Sequence, residues 1–136
     1  MAGDVRKLHV FQRAYRLSLE LHRVSLGWPR AEQYGGVADQ LRRASKSVCA
    51  LMVEGAGRQP GSDAEFRRYL SMAMGSADEA RLWCDYAADL GYVTSEVSLG
   101  WQDELGQIAR MLHGVRQNLP KKTCLRTDAW RLATVW

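Results

Sequence analysis

The sequence predicts an all-α fold, an up-and-down antiparallel four-helix bundle, and three features carry that prediction. Apolar residues recur at helical spacing in four separate stretches. Glycine or proline follows each stretch, and no segment alternates apolar and polar residues with the two-residue period of a strand. Helices of similar length joined by short connections favour antiparallel neighbours. The chain of 136 residues is the size of one domain with one core.

The first helix is predicted over residues 7–26, where Val10, Ala14, Leu17, Leu21 and Val24 form a stripe widened by Phe11, Tyr15 and Leu19. Gly27, Trp28 and Pro29 end it. The second runs from about Tyr34 to Val53 on Val37, Leu41, Ala44, Val48 and Leu51, and a loop follows through Gly55, Gly57, Pro60 and Gly61. Ser62 is placed to cap the third helix, with Glu65 completing a capping box. That helix is long and alanine-rich, passing through Phe66, Tyr69, Leu70, Ala73, Ala77, Ala80, Cys84, Ala87 and Leu90 to a stop at Gly91. Ser95 is placed to cap the fourth helix, whose stripe of Val97, Trp101, Leu105, Ile108, Leu112, Val115 and Leu119 ends at Pro120. The expected organisation is a bundle over residues 1–120 and a basic, Trp-containing tail over 121–136. The tail either docks on the bundle, stacks on nucleic acid through Trp130 and Trp136, or moves freely.

Composition narrows the function classes. A hydrophobic share of 46 % with 25 % charged residues is that of a folding domain, not of a disordered chain. Cys49, Cys84 and Cys124 are odd in number and form no CxxC or Cys/His ligand pattern, so neither a disulfide framework nor zinc is indicated. With no signal peptide or apolar run long enough for a membrane span, a soluble cytoplasmic protein without membrane contact is expected. The net charge of +4 lies mostly in the tail: residues 1–120 hold 15 Lys/Arg against 14 Asp/Glu, and residues 121–136 hold 4 against 1. Polyanion binding therefore has to be argued from particular arginines.

Catalytic signals are missing from the sequence. His9, His22 and His113 have no second ligand at the i,i+4 spacing of a metal site. There is no GxSxG elbow, and the segment Gly55, Ala56, Gly57, Arg58 lacks the lysine of a phosphate loop and reads as a helix end and turn. Cys49 and Cys84 fall near apolar stripes and read as packing residues. No enzyme activity, metal or cofactor is expected.

The basic groups are Arg42, Arg43 and Lys46 on the second helix, Arg58 after it, and Arg67 and Arg68 at the start of the third. Three readings stand for them: a solvated helix face, ion pairs joining subunits through Glu54, Glu65 or Glu79, or a surface for phosphates. Gly75 and Ser76 interrupt the third helix where glycine costs about 1 kcal/mol relative to alanine. Close approach of another helix, from the same chain or a neighbouring subunit, is the expected compensation.

Several blocks of the chain together resemble the 23S rRNA intervening-sequence protein family. They are FQRAYRLSLELHR at Phe11 to Arg23, WPRAEQYGGVADQLRRASKSV at Trp28 to Val48, EGAGR at Glu54 to Arg58, and EFRRYL at Glu65 to Leu70. Gly75 with Ser76, Glu79, and DLGYV at Asp89 to Val93 complete the set, which covers about residues 8–119 in order. The chain departs from the family pattern at Cys49 and Leu51, where a proline and an asparagine are usual. The resemblance implies a bundle assembling into a homo-oligomeric ring, commonly a homopentamer, with no recognised catalytic residues. Relatives include the accessory protein of diversity-generating retroelements, which binds a reverse transcriptase and contacts nucleic acid. The expected function is a non-enzymatic oligomeric scaffold or adaptor binding RNA, DNA or a ribonucleoprotein partner, in one version a reverse transcriptase. The alternative is a purely protein-binding or structural module in which the arginines join subunits.

Overall fold

A computed structural model describes residues 4–119. It holds four helices, α1 (His9–Ser25), α2 (Val37–Arg58), α3 (Asp63–Asp89) and α4 (Ser95–Gln117), with 3-10 turns at Val5–Lys7 and Arg30–Glu32. No strand occurs among the described residues, and none of these helices is long and apolar enough to cross a membrane. The predicted tail, with Cys124, Trp130 and Trp136, lies outside them.

The helical stripes become the core. Leu21, Leu41, Met52, Phe66, Leu70, Leu105, Ile108 and Leu112 are fully buried at its centre. Four predicted stripe positions are instead exposed, Tyr15 and Val24 on α1, Leu90 at the end of α3 and Val97 on α4. After each of the two valines the next residue, Ser25 or Ser98, is buried. The Ser25 hydroxyl donates to the carbonyl of His22 (3.1 Å) and that of Ser98 to the carbonyl of Cys84 (2.8 Å), so neither is buried without a partner.

Helix α2 runs on through Gly55 and Gly57 to Arg58, where a loop was expected, because Gly55 sits in the contact between α2 and α3. A Cβ placed on Gly55 would stand 2.5 Å from the Cβ of Tyr69. The connection shrinks to residues 59–62, and Ser62 caps α3 as anticipated, its hydroxyl accepting from the Glu65 amide at 3.1 Å. The capping box is only half formed: the Glu65 carboxylate turns to Arg68, while the Ser62 amide donates to the carbonyls of Arg58 and Gln59. Gly91 ends α3 with a φ of +82°, a conformation that costs glycine nothing. Thr94, not Ser95, caps α4, its hydroxyl accepting from the Val97 amide at 3.1 Å.

The small residues of α3 divide by face. Ala73, Ala77, Ala80 and Ala87 are fully buried and bring α3 close to its neighbours. Gly75 points outward, with no atom within 4 Å of where its Cβ would stand. Close approach of another described helix is thereby ruled out as the compensation for Gly75. Ser76 faces α2, its hydroxyl 2.9 Å from that of Ser47.

Helix α2 packs most extensively on α3, and α3 on α4, while α1 leans more lightly on α2 and α4. Polar struts hold α1 to α4: Trp101 donates to Glu20 (2.7 Å), and Arg13 bonds Glu104 and Gln107. The loops after α1 and after α3 meet at one end, where Trp28 packs on Tyr92 (ring centroids 5.6 Å apart) and the Tyr92 hydroxyl donates to Glu32. Arg42 is built into this end. Its guanidinium donates to the Ser25 hydroxyl (2.8 Å), the Gln33 side-chain oxygen (3.1 Å) and the Gln33 carbonyl (3.3 Å). Replacing Arg42 with methionine keeps most of the stem and removes all three bonds. An expected loss of about 1–3 kcal/mol would show as a lower midpoint in urea denaturation, and an unchanged midpoint would mean that Arg42 holds nothing in place.

Candidate functional site

The six basic candidates fall into two groups set apart along α2. Arg42, Arg43 and Lys46 lie in its first half, and Arg58, at its last residue, belongs with Arg67 and Arg68 at the start of α3. With a helical rise of 1.5 Å per residue, Lys46 and Arg58 are about 18 Å apart along the axis.

In the first group the cations converge on α1. Lys46 donates to Nδ1 of His22 at 3.1 Å. Desolvation pushes the His22 pKa below its ordinary value, and the positive charges of Lys46, Arg42 and Arg23 push it further in the same direction. Arg43, largely exposed, pairs with Asp39 at 3.0 Å. That carboxylate is held below its usual range first by the Gly35 amide and then by Arg43. The end of the α1–α2 pair is thus a patch of three cations around one imidazole, in which Arg42 also holds the loop, with Arg43 next to Arg42 in sequence and partly offset by Asp39.

His22 gives this field a direct readout. Because its folded pKa is depressed, its contribution to stability is present above the unfolded value and is lost as pH falls through the folded one. An NMR titration should place the His22 midpoint below that of an unperturbed histidine, and Lys46→Gln should raise it. A midpoint insensitive to Lys46 would show that the cations do not act together there.

The second group is closed on itself. Arg58 pairs with Glu54 at 3.5 Å and Arg68 with Glu65 at 3.2 Å. Both guanidiniums lie over the ring of Tyr69, at 5.2 and 4.9 Å from its centroid. The Tyr69 hydroxyl donates to Glu54 at 3.3 Å, and the Arg68 bond lowers the pKa of Glu65. The remaining candidate acid, Glu79, accepts from the Trp83 indole at 3.1 Å. Each of the three glutamates proposed as subunit bridges is therefore engaged by a neighbour in its own chain.

Further surface features escaped the sequence reading. Phe11, Tyr15, Leu19, Cys49, Ala50 and Val53 line a groove between α1 and α2. Leu82, Tyr86 and Leu90 stand exposed on α3. The signal for the second was present, since these three repeat at helical spacing away from the alanines, although the sequence places Leu90 in the same run as the alanines. Of the described thiols neither is a nucleophile: burial raises Cys49 to about 11 and Cys84 to about 12, so both stay protonated near neutrality.

A family model described as 23S rRNA-intervening sequence protein matches residues 6–114. A solved structure, a protein with unknown function from the S23 ribosomal protein family of Bacteroides thetaiotaomicron VPI-5482, is similar in fold with a TM-score of 0.69. It is 18 % identical in sequence, and the match covers 79 % of this chain and 95 % of that one. No curated protein matches the chain.

Proposed function

The chain belongs to the 23S rRNA-intervening sequence protein family, and from that premise we propose a non-enzymatic oligomeric scaffold that binds RNA, or a ribonucleoprotein partner, at its basic end. The carrying observation is the convergence of Arg23, Arg42 and Lys46 on His22, with Arg43 beside them. Polyphosphate binding needs several cations within one patch rather than a high net charge. A ribonucleoprotein such as a reverse transcriptase with its RNA presents the same phosphate chemistry and falls within this reading.

The bundle in this reading runs up and down. In support, bonded residues descend on one helix as they ascend on the next: Gly55 faces Tyr69 while Ser47 faces Ser76, and Asp85 meets Gln102 while Ser71 meets Arg116. Assembly into a ring of identical copies is the second part of the proposal, favoured by the outward apolar residues of α3, which no other described residue covers. The reading assigns no catalysis to the protein and places it in the cytoplasm, where Cys49 and Cys84, both free, remain thiols.

Fluorescence anisotropy with a single-stranded RNA, over a series of salt concentrations, tests the first part. Binding is expected at low salt and should weaken as salt rises, with a log–log slope of about −0.7 for each phosphate neutralised. No binding at low salt, or binding indifferent to salt, overturns it. The apolar surface on α3 favours protein contact alone as the second reading, and an assembled protein that ignores RNA under every condition would select it.

A further inference from the structure

The outward face of α3 is too apolar for a solvated surface. Met72, Leu82, Tyr86 and Leu90 repeat along it at helical spacing, and the last three are 49 %, 48 % and 51 % exposed. Tyr86 is not a loose side chain: Trp83 packs on it with ring centroids 5.3 Å apart and is itself held by its bond to Glu79. Gly75 lies on the same face, two turns before Leu82, with open space where a side chain would be. A helix surface that keeps a glycine and presents a row of apolar residues is shaped for another backbone.

The flanks of that row are acidic. Asp78, Glu79, Asp85 and Asp89 accompany it, with Arg81 as the one cation in residues 75–90, and the last turn of α3 has no basic residue. The groove between α1 and α2 has the opposite character. Phe11 and Tyr15 stack along one wall with centroids 6.0 Å apart, Ala50 and Val53 form the other, and Arg6 and Lys46 line it as well. Its one carboxylate, Glu54, is already paired with Arg58. Phe11 and Leu19, like Leu82 and Leu90, lie eight residues apart, about 12 Å of helix, so row and groove match in length as well as in charge.

From these features we infer that Leu82, Tyr86 and Leu90 of one copy seat in the α1–α2 groove of a second copy, an acidic ridge in a basic groove. The inference rests on the assembly proposed above and identifies the surfaces that carry it. The contact is heterologous: each copy offers its ridge to one neighbour and its groove to another. A two-fold pairing of α3 with α3 would instead set Glu79, Asp85 and Asp89 against their own copies, and like charges in an interface are unfavourable.

Two variants, Leu82→Lys on the ridge and Ala50→Glu in the groove, alter exposed residues and leave the core intact. Light scattering coupled to size exclusion, with helicity checked by circular dichroism, should find wild type assembled and each variant alone monomeric. An equimolar mixture should form a dimer, because the ridge of the Ala50→Glu copy still fits the groove of the Leu82→Lys copy, while the other two surfaces are blocked. An assembled Ala50→Glu protein beside a monomeric Leu82→Lys protein would show a two-fold α3 contact and overturn the inference. Two folded monomers that fail to complement also overturn it, as do variants that remain fully assembled, and in that last case assembly itself stands. A wild type that is monomeric overturns the assembly reading together with this contact.

Discussion

Gly55→Ala is expected to destabilise the fold and Gly75→Ala to stabilise it, although both replace a glycine inside a helix. Alanine gains about 1 kcal/mol of helix propensity at either position. At Gly75 no other described element opposes that gain, because none comes within 4 Å of the new methyl. At Gly55 the methyl would stand 2.5 Å from the Tyr69 Cβ and 3.1 Å from the Phe66 ring. A Cβ cannot swing aside as the end of a long side chain can, so α2 and α3 have to separate along their most extensive contact. Overpacking of this kind costs about 1–3 kcal/mol, which leaves a net loss after the propensity gain, and the larger Gly55→Leu should exceed it. Urea denaturation of dilute protein, where assembly adds no stability, should move the two midpoints in opposite directions. A raised midpoint for Gly55→Ala would show that α2 and α3 are not in close contact there.

These two glycines also mark how far the sequence was legible. The four helices could be read because periodic apolar residues and terminal glycines or prolines are local signals. Gly55 was misread for the same reason: next to Gly57 and before Pro60 it has the local signature of a loop, and only the approach of Tyr69 from α3 explains why it is helical. Val24 and Val97 were assigned to the core by period alone, where the fold buries the adjacent serines instead. A serine whose hydroxyl finds a carbonyl can replace an apolar residue at little cost, and the carbonyl of Cys84 that receives Ser98 lies on another helix.

The candidate site was legible by residue type but not by grouping. Arg42, Arg43 and Lys46 were recognised as basic, yet their neighbours His22 and Arg23 come from α1, and no spacing within α2 reveals them. Conversely, Arg58, Arg67 and Arg68 looked equivalent to the first set until Tyr69, Glu54 and Glu65 were seen to close around Arg58 and Arg68. Cations that are already paired and stacked lose those contacts when they take up a phosphate, so the two groups differ in what they can offer an RNA chain.

That difference makes the second large effect a comparison of two double reversals. Arg23→Glu with Arg43→Glu, at the basic end, should weaken RNA binding by at least about tenfold, 1.4 kcal/mol being one factor of ten, and should flatten the salt dependence as phosphate contacts are lost. Lys46 is left in place because it also borders the α1–α2 groove. Arg58→Glu with Arg68→Glu changes the net charge by the same amount, Arg58 lying about 22 Å from Arg43 along α2, and should leave affinity nearly unchanged. The second pair does break the contacts with Glu54, Glu65 and Tyr69, so a modest fall in its melting temperature is expected beside intact binding. Equal losses from both pairs would mean that RNA senses only overall charge, and the basic end would then have no special role. No loss from either would remove nucleic acid from the function and leave protein contact through the apolar surfaces.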